Sequence, residues 1–276
     1  MKFYILISGV LLFVFISSCA DWESQTNIIK SGGIISNNVI LIEEFTGTSC
    51  PNCPSGTAEV ESIKDKYPNN VVIIGVHSKF LAQPVNVADP DLRTVDANKI
   101  ESFLGNYQGK PEVSINRQIY SGKSMIRLGI TDPWLSYVED ELRKENLASL
   151  IISNSYNDNT RELMINVKAM ATKNIDFPTY LHVAITESEI HAAQKNNTGV
   201  FDNYIHNDVL HNLLTPVEGE LFFNSLLNTE NSSKEYKFTL PAESKFWIAK
   251  NCHVVAFLSK DQSLKSVIQA SQANVK

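Results

Sequence analysis

The sequence predicts a chain of two folded parts, an α/β domain followed by an all-β domain, and three observations support this. The first half alternates strand and helix patterns, whereas the second half has short strands, turn signals and almost no helical periodicity. The chain has 276 residues, 43% of them hydrophobic, which is enough for two buried cores. We therefore expect an α/β domain at residues 39–146 and a β-sandwich at residues 147–276.

The α/β domain is predicted from a strand–helix–strand unit near its start. Val39–Ile42 and Val71–Val76 are short apolar runs, typical of strands buried on both faces of a sheet, and residues 56–67 between them have a helical pattern. This spacing favours a parallel pair of strands joined by a crossover helix. Further elements are expected as helices at residues 92–104 and 134–144 and as a strand at Val113–Asn116.

The all-β domain is predicted from a hairpin and several short strands. Leu150–Tyr156 and Glu162–Ala169 flank the turn residues Asn157–Thr160, which is a hairpin signal. Short strands with frequent turns are typical of an antiparallel sandwich of the immunoglobulin-like type. The further strands are expected at Tyr180–Thr186, Glu220–Phe223, Tyr236–Leu240 and His253–Leu258.

Charge and cysteine content limit the classes of partner. The net charge is -6, and the basic residues are spread along the chain without forming the stripe that follows a phosphate backbone. We therefore expect no nucleic acid partner, and we expect no cofactor. Four cysteines are too few for a disulfide scaffold in a chain of this length, so each needs its own explanation.

The N-terminus has the layout of an export signal. An apolar run from Phe3 to Ile16 precedes two serines and Cys19, and it is shorter than the roughly 20 apolar residues of a membrane span. The segment ending in Cys19 resembles a bacterial lipobox, in which cleavage precedes the cysteine and its thiol then carries diacylglycerol. We expect a signal peptide at residues 1–18, a flexible tether at residues 19–38 and a membrane anchor on Cys19. An ordinary secretory signal is the alternative.

Cys50 and Cys53 form a Cys-x-x-Cys pair between a buried strand and the start of a helix. Such a pair is also half of many zinc sites, but the sequence has no second pair at ligand spacing, which favours redox chemistry over zinc. The unpaired N–H groups and partial positive charge of a helix N-terminus favour a thiolate. We expect Cys50 to lie exposed and attack a partner disulfide, and Cys53 to resolve the mixed disulfide.

The segment Ile42–Pro54 resembles the thioredoxin superfamily and, more closely, the Omp28-related lipoproteins of the Bacteroidetes. The resemblance spans nearly the whole mature chain. It implies a thioredoxin-like fold for residues 39–146 and a lipid-anchored location at the outer membrane, on the periplasmic face or at the cell surface. The likeness continues through Val76–His77, Val113–Arg117, Tyr204–Leu210, Gly219–Glu220, Val254–Leu258 and Val267–Ala270.

The resemblance also implies roles for three residues near the pair. Glu44, six residues before Cys50, occupies the place of a buried acid with a raised pKa that takes the proton of the resolving thiol. Since strand side chains alternate, only one of Glu43 and Glu44 is expected to point inward, and we expect it to be Glu44; the alternative is that both face solvent at a strand end. Pro111 occupies the place of a cis-proline that receives a substrate peptide. His77 is expected to tune Cys50, to bind a metal with the pair, or to be a surface histidine making one hydrogen bond.

Two functions remain open from the sequence. In the first, the chain is a thiol–disulfide oxidoreductase that exchanges with a protein thiol or disulfide. In the second, it is a binding or adhesion lipoprotein in which Cys50–Cys53 is a static disulfide and the β-sandwich binds a surface ligand. Asp21 and Glu23 faintly resemble surface-export signals, and a reductase at the surface would lack an obvious electron source. Cys252 is expected to be a free, buried thiol, with an intermolecular bridge as the alternative.

Overall fold

A large mixed sheet forms the centre of the structure. The computed structural model describes residue 34 and residues 36–105, 109–260 and 265–276, and these belong to one compact unit. Cys19, the predicted signal peptide and most of the predicted tether lie outside the described residues. Among the described residues, strands predominate over helices, and together they form a mixed α/β fold.

The helices are α1 (Cys53–Lys66), α2 (Val95–Leu104) and α3 (Trp134–Leu142). The strands of the first half are β1 (Ile40–Thr46), β2 (Val71–His77), β3 (Glu112–Ile115) and β4 (Leu128–Gly129). The later strands are β5 (Ala148–Asn157), β6 (Glu162–Ala171), β7 (Thr179–Glu187), β8 (Ile190–Asn196), β9 (Gly199–His206), β10 (Val209–Leu213), β11 (Glu220–Phe223), β12 (Asn231–Thr239), β13 (Cys252–Ser259) and β14 (Val267–Asn274).

The large sheet has the order β14-β13-β7-β10-β2-β1-β3-β4 within the described part of the chain, and β11 also pairs with β7. β1 and β2 are parallel, in a register that runs from Ile40 opposite Val71 to Thr46 opposite His77. This confirms the predicted strand–helix–strand unit. The predicted domain boundary near residue 147 stays a prediction, and strands from both sides of it share this sheet.

β1 and β2 are covered on both faces, because apolar residues occupy both sets of alternating positions. Ile40 and Ile42 pack toward α1 and α3, whereas Leu41 and Phe45 pack toward α2 and β13. A strand covered in this way has no side that faces water. The end of β1, where the cysteine pair follows, is therefore held inside the protein.

A second core lies between the large sheet and a smaller antiparallel sheet. β5 and β6 form the hairpin expected from the sequence, and β12 adds to β6 to give the order β12-β6-β5 among the described residues. The inward side chains of β6 include Leu163, Ile165 and Val167, which share a core with β7 and β13. No helix in the described ranges is long and apolar enough to cross a membrane.

A separate two-stranded ribbon, the β8–β9 hairpin (Ile190–His206), contacts Thr48 just after β1 through the N–H of Lys195. The sequence predicts no strand between Thr186 and Glu220, so this hairpin was not expected. Most of the β9 side chains face solvent, from Gly199 to Asn203. The hairpin therefore depends on contacts with the rest of the protein.

Candidate functional site

Cys50 and Cys53 form a disulfide at the start of α1. Asn52 is the N-cap residue and Cys53 the first residue of the helix, as the sequence predicted. Each cysteine is only 1% exposed, whereas Pro51 and Asn52 between them are exposed. The prediction of an exposed Cys50 is therefore wrong, because the neighbouring segments cover it.

One covering segment is the chain that follows β2. The backbone N–H of Ser49 donates to the carbonyl oxygen of Leu81 at 3.0 Å, and the Thr48 hydroxyl donates to the carbonyl oxygen of Gln83 at 2.7 Å. A Cβ at Gly47 would lie 2.3 Å from the carbonyl oxygen of Leu81. A glycine is thus needed where the loop before Cys50 approaches this segment.

The other covering segment is the β8–β9 hairpin. The buried side-chain amide of Gln194 donates to the carbonyl oxygens of Cys50 and Gly47 at 3.0 and 3.2 Å. The backbone N–H of Lys195 donates to the carbonyl oxygen of Thr48 at 2.8 Å. These bonds place the hairpin directly over the loop that carries Cys50.

The Lys110–Pro111 peptide bond is cis, as expected from the sequence. Pro111 lies against Gly56 of α1. A groove of about 550 Å³ runs past this contact and is lined by Asn52, Ser55, Pro111 and Ile130, among others. The exposed side of the cysteine motif, at Asn52, therefore borders this groove.

Lys110 is a buried lysine whose ammonium group holds this region together. Its Nζ donates to the carbonyl oxygens of Thr46 and Phe80 at 2.8 Å and of Ser78 at 3.3 Å. Burial lowers the pKa of Lys110 to about 8, which still leaves it mostly protonated at neutral pH. The lysine thereby fixes the residue before Pro111 to the ends of β1 and β2.

Glu44 lies on β1 beneath α1. Its Oε1 accepts a 2.6 Å hydrogen bond from the hydroxyl of Thr57, four residues and hence about one helical turn after Cys53. Desolvation by burial raises the pKa of Glu44 to about 7, against the lowering effect of the Thr57 hydrogen bond. Glu44 can therefore gain or lose a proton near neutral pH.

Glu43 is also buried, so the prediction that only one of the two glutamates points inward is wrong. The side chains do alternate, but both faces of β1 are covered by protein. Glu43 forms an ion pair with Arg117, in which Nη2 of the arginine lies 2.6 Å from Oε1. The Ser114 hydroxyl donates to its other oxygen at 3.0 Å.

His77 is buried rather than on the surface, which corrects one of the sequence-based interpretations. It lies beside His206 of the β8–β9 hairpin, with ring centroids 5.7 Å apart. Nδ1 of His77 and Nε2 of His206 lack hydrogen-bond partners among the described residues. Burial is the main cause that lowers the pKa of His77 well below its usual value and that of His206 to about 4, so both are neutral.

The structure offers no cluster suited to a metal ion in its described ranges, where no three His, Cys, Asp or Glu side chains are grouped in that way. A metal site built on His77 and the cysteine pair would need further ligands. Cys252 lies apart from this site as a free, fully buried thiol in β13.

The structure thus groups Cys50, Cys53, Glu44 and Pro111 around the first turn of α1, while their chemical roles stay predictions. Sequence reasoning missed the β8–β9 hairpin and its contacts from Gln194. A signal was present, since Asn197-Thr198-Gly199 between two short runs is a turn sequence. The distance along the chain, more than 140 residues from Cys50, gave no hint of the contact.

Comparisons with known proteins bear on the family and the fold. Residues 101–276, more than half of the chain, match the family described as outer membrane protein Omp28. This match includes Pro111 and begins after the cysteine pair. No curated protein matches the chain.

Among solved structures, HBP35 of Porphyromonas gingivalis is similar, with a TM-score of 0.66 and 16% identity over 88% of this chain and 77% of that chain. Protein AGR_C_4864 of Agrobacterium tumefaciens has a TM-score of 0.49 and 12% identity over 88% of this chain and 97% of that chain. At such identities the likeness to HBP35 concerns the fold alone. The family match supports a location in the cell envelope. The chain belongs to the Omp28 outer membrane protein family.

Proposed function

We propose that this protein is a thiol–disulfide exchange protein of the cell envelope, with Cys50 and Cys53 as its redox pair. The observation that carries the proposal is the position of the Cys50–Cys53 disulfide, in the first turn of α1 beside the cis peptide bond at Pro111. A helix N-terminus stabilises a thiolate, which is the reactive form of cysteine. An open groove runs along the same edge.

The exchange step follows from the chemistry of the pair. In the reduced protein the Cys50 thiolate attacks one sulfur of a partner disulfide, which forms a mixed disulfide and releases the partner's other sulfur as a thiolate. Cys53, as thiolate, then attacks the sulfur of Cys50 and releases the partner's second thiolate. Two electrons pass from the cysteine pair to the partner. Glu44 takes the proton of Cys53, a role that its pKa near 7 and its place under α1 support.

The partner is a protein with an exposed disulfide on an extended segment. The groove beside Pro111 has a volume of about 550 Å³ and is bounded by Ser55 on α1 and Ile130 after β4. Ile130 is 41% exposed and offers an apolar contact, while Asn52 and Ser55 offer polar ones. This mixture suits a polypeptide chain rather than a small charged molecule.

We also propose the finer architecture and the anchor. The parallel β1–α1–β2 unit, the antiparallel β3 and the cis Pro111 support a thioredoxin-like domain. The facing sheets around Leu163 and Val254 support an immunoglobulin-like sandwich after it. Lipid attachment at Cys19 would hold the protein at the outer membrane, and the family match supports that compartment.

A static disulfide is the second candidate function, and one observation favours it. Cys50 is 1% exposed under the β8–β9 hairpin, and inert disulfides are often covered in this way. In that case the pair only stabilises the protein, and the β-sandwich binds a ligand at the membrane.

The experiment that decides is a redox titration of the full chain in detergent, with the state of Cys50 and Cys53 followed by alkylation and peptide mass spectrometry. We expect a potential between about -120 and -270 mV, as in exchange proteins, whereas structural disulfides lie below about -300 mV. A Cys53→Ala variant should trap a mixed disulfide with a peptide disulfide, and Cys252→Ala serves as the control. A potential in the structural range would leave only the second function.

The anchor has its own test. The wild-type chain, expressed with labelled palmitate in a bacterium with lipoprotein processing, should become labelled, and a Cys19→Ala variant should not. Equal labelling of the two would refute lipid attachment at Cys19.

A further inference from the structure

We propose that the β8–β9 hairpin is a movable cap on Cys50. Its tip, residues 194–199, must lift before Cys50 can react with a partner. The biological role of such a cap rests on the proposed thiol–disulfide exchange function. The cap itself concerns how accessible the sulfur of Cys50 is, and this can be measured without any exchange reaction.

Three residues hold the tip of the hairpin over the cysteine motif through four hydrogen bonds. The Gln194 amide reaches the carbonyl oxygens of Cys50 and Gly47, and the Lys195 backbone N–H reaches that of Thr48. Nδ2 of Asn197 donates to Oδ1 of Asn52 at 2.9 Å. The hairpin thus touches the loop before Cys50 and the dipeptide after it.

These contacts are of a kind that water can replace. Each is a hydrogen bond of ordinary length, whose net contribution to stability is small because water forms equivalent bonds when the groups separate. Apolar packing is instead concentrated toward the other end of the hairpin, where Ile190 packs with Leu92 and Val209 and where Ala192 and Ala193 are buried. The root is therefore held firmly and the tip weakly.

The turns at the root are tied to the large sheet. The N–H of Ser188 donates to the carbonyl oxygen of Asn251 at 2.9 Å, and the N–H of Asp208 donates to the hydroxyl of Ser188 at 3.0 Å. Glu189 and Asp208 have φ values of 58° and 53°, so the chain turns sharply at both ends of the hairpin. These turns separate the hairpin from β7 and β10 and are the points about which its tip would lift.

The hairpin also lacks support from neighbouring strands. β8 and β9 pair with each other and with no other strand among the described residues. An isolated two-stranded hairpin is marginally stable in water, and β9 exposes its residues from Gly199 to Asn203. Segments of this kind open locally at a low free-energy cost compared with the protein core.

No hairpin residue lines the groove beside Pro111, although Asn52 at its edge accepts the hydrogen bond from Asn197. A partner can therefore bind in the groove while the cap is closed. Lifting of the tip then uncovers Cys50 for attack. This order of events would protect the disulfide from small thiols and leave it open to a bound partner.

The test compares two rates in the reduced full chain in detergent. One is alkylation of Cys50 by iodoacetamide, quantified on its peptide by mass spectrometry, and the other is hydrogen exchange of residues 190–206. The variants are Gln194→Ala, which removes two bonds to the cysteine loop, and Asn197→Ala, which removes one at an exposed position. The matched control is Asn203→Ala, whose side chain bonds to His191 of the same hairpin.

We expect Gln194→Ala to accelerate both rates about tenfold and Asn197→Ala about threefold, with a change of less than about twofold in the control. If both rates increase by the same factor, opening of the hairpin controls the access of iodoacetamide to Cys50. The proposal is overturned if hairpin exchange accelerates while Cys50 alkylation does not, or if wild-type Cys50 reacts as fast as in urea. If Gln194→Ala fails to fold, the two rates in Asn197→Ala test the proposal instead. A redox potential in the structural range would refute the exchange function, but it would not change the measured access to Cys50.

Discussion

Gly56 of α1 lies directly against Pro111. A Cβ at Gly56 would lie 2.5 Å from Cβ and 2.7 Å from Cγ of the proline, well inside the roughly 3.5–4.0 Å at which carbon atoms make contact. The helix can therefore approach the proline only with glycine at this position. Since Cys53 is the first residue of the same helix, this contact sets the distance between the disulfide and the groove.

Replacement of Gly56 by alanine should destabilise the protein by about 1–3 kcal/mol, because the added methyl group overpacks the contact. Alanine favours a helix over glycine by about 1 kcal/mol, and the clash should outweigh this gain. The measurement is the free energy of unfolding in urea. Gly129→Ala is the control, since its Cβ would meet no atom within 4 Å. A Gly56→Ala variant as stable as the wild type would contradict the packing argument.

The pKa of Glu44 should make the stability depend on pH. Burial raises this pKa from 4.5 to about 7, so between these values the folded chain holds a proton that the unfolded chain releases. The stabilising contribution is complete below pH 4.5 and is lost as the pH rises to about 7. Relative to Glu44→Gln, the wild type should lose about 3 kcal/mol of unfolding free energy across this window. Urea titrations at a series of pH values measure it.

A second variant tests the cause of this pH dependence. The Thr57 hydrogen bond lowers the pKa of Glu44 against the effect of burial, so Thr57→Val should raise it further. The carboxyl carbon of Glu44, followed by NMR, should then titrate at a higher pH than in the wild type. An unchanged or lower midpoint would show that Thr57 does not stabilise the carboxylate.

The parts that the sequence predicted well are those fixed by local pattern. The apolar β-branched runs of β1 and β2 predicted a buried parallel pair, and the Cys-x-x-Cys spacing predicted a pair at the start of α1. The burial of Glu43 was not predictable in this way. Its partner Arg117 lies 74 residues further on, and Phe257 of β13, whose ring lies against the Arg117 guanidinium, is more distant still.

The β8–β9 hairpin shows the same limit at the site. β9 is largely exposed and β8 has three consecutive buried residues, so neither strand shows the alternation that marks a half-buried strand. The contact of Gln194 with Cys50 places the hairpin over the site, and this contact depends on the tertiary fold. The exposed position predicted for Cys50 was wrong because nothing in the sequence near the motif indicates that the hairpin covers it.

The ion pair between Arg117 and Glu43 should be costly to break from one side. The two side chains are 1% and 0% exposed, so the loss of either leaves an uncompensated buried charge. We expect Arg117→Met and Glu43→Leu each to cost about 3–5 kcal/mol of unfolding free energy. The double variant should cost less than the sum of the two, because it leaves no charge behind.

An exposed ion pair serves as the control for the Arg117 and Glu43 variants. Lys173 and Glu145 lie 3.1 Å apart with more than half of each side chain exposed, so Lys173→Met should cost less than about 1 kcal/mol. Additive costs for Arg117→Met and Glu43→Leu would mean that the two buried groups act independently.

Cys252 should be chemically inert in the folded protein. It is 0% exposed, and burial, together with the nearby Glu187 carboxylate, raises the pKa of its thiol. Since the thiolate is the form that reacts, iodoacetamide should leave Cys252 unmodified in native conditions and modify it in urea.

The same burial argues against an intermolecular bridge through Cys252, because a second molecule cannot reach its sulfur while β13 stays in the sheet. Oxidised wild-type protein should therefore run as a monomer on a non-reducing denaturing gel, with the same mobility as Cys252→Ala. This variant should lose only about 1 kcal/mol of unfolding free energy, the cost of removing one small buried group. A disulfide-linked dimer that disappears in Cys252→Ala would mean that β13 opens far more readily than its position between β7 and β14 implies.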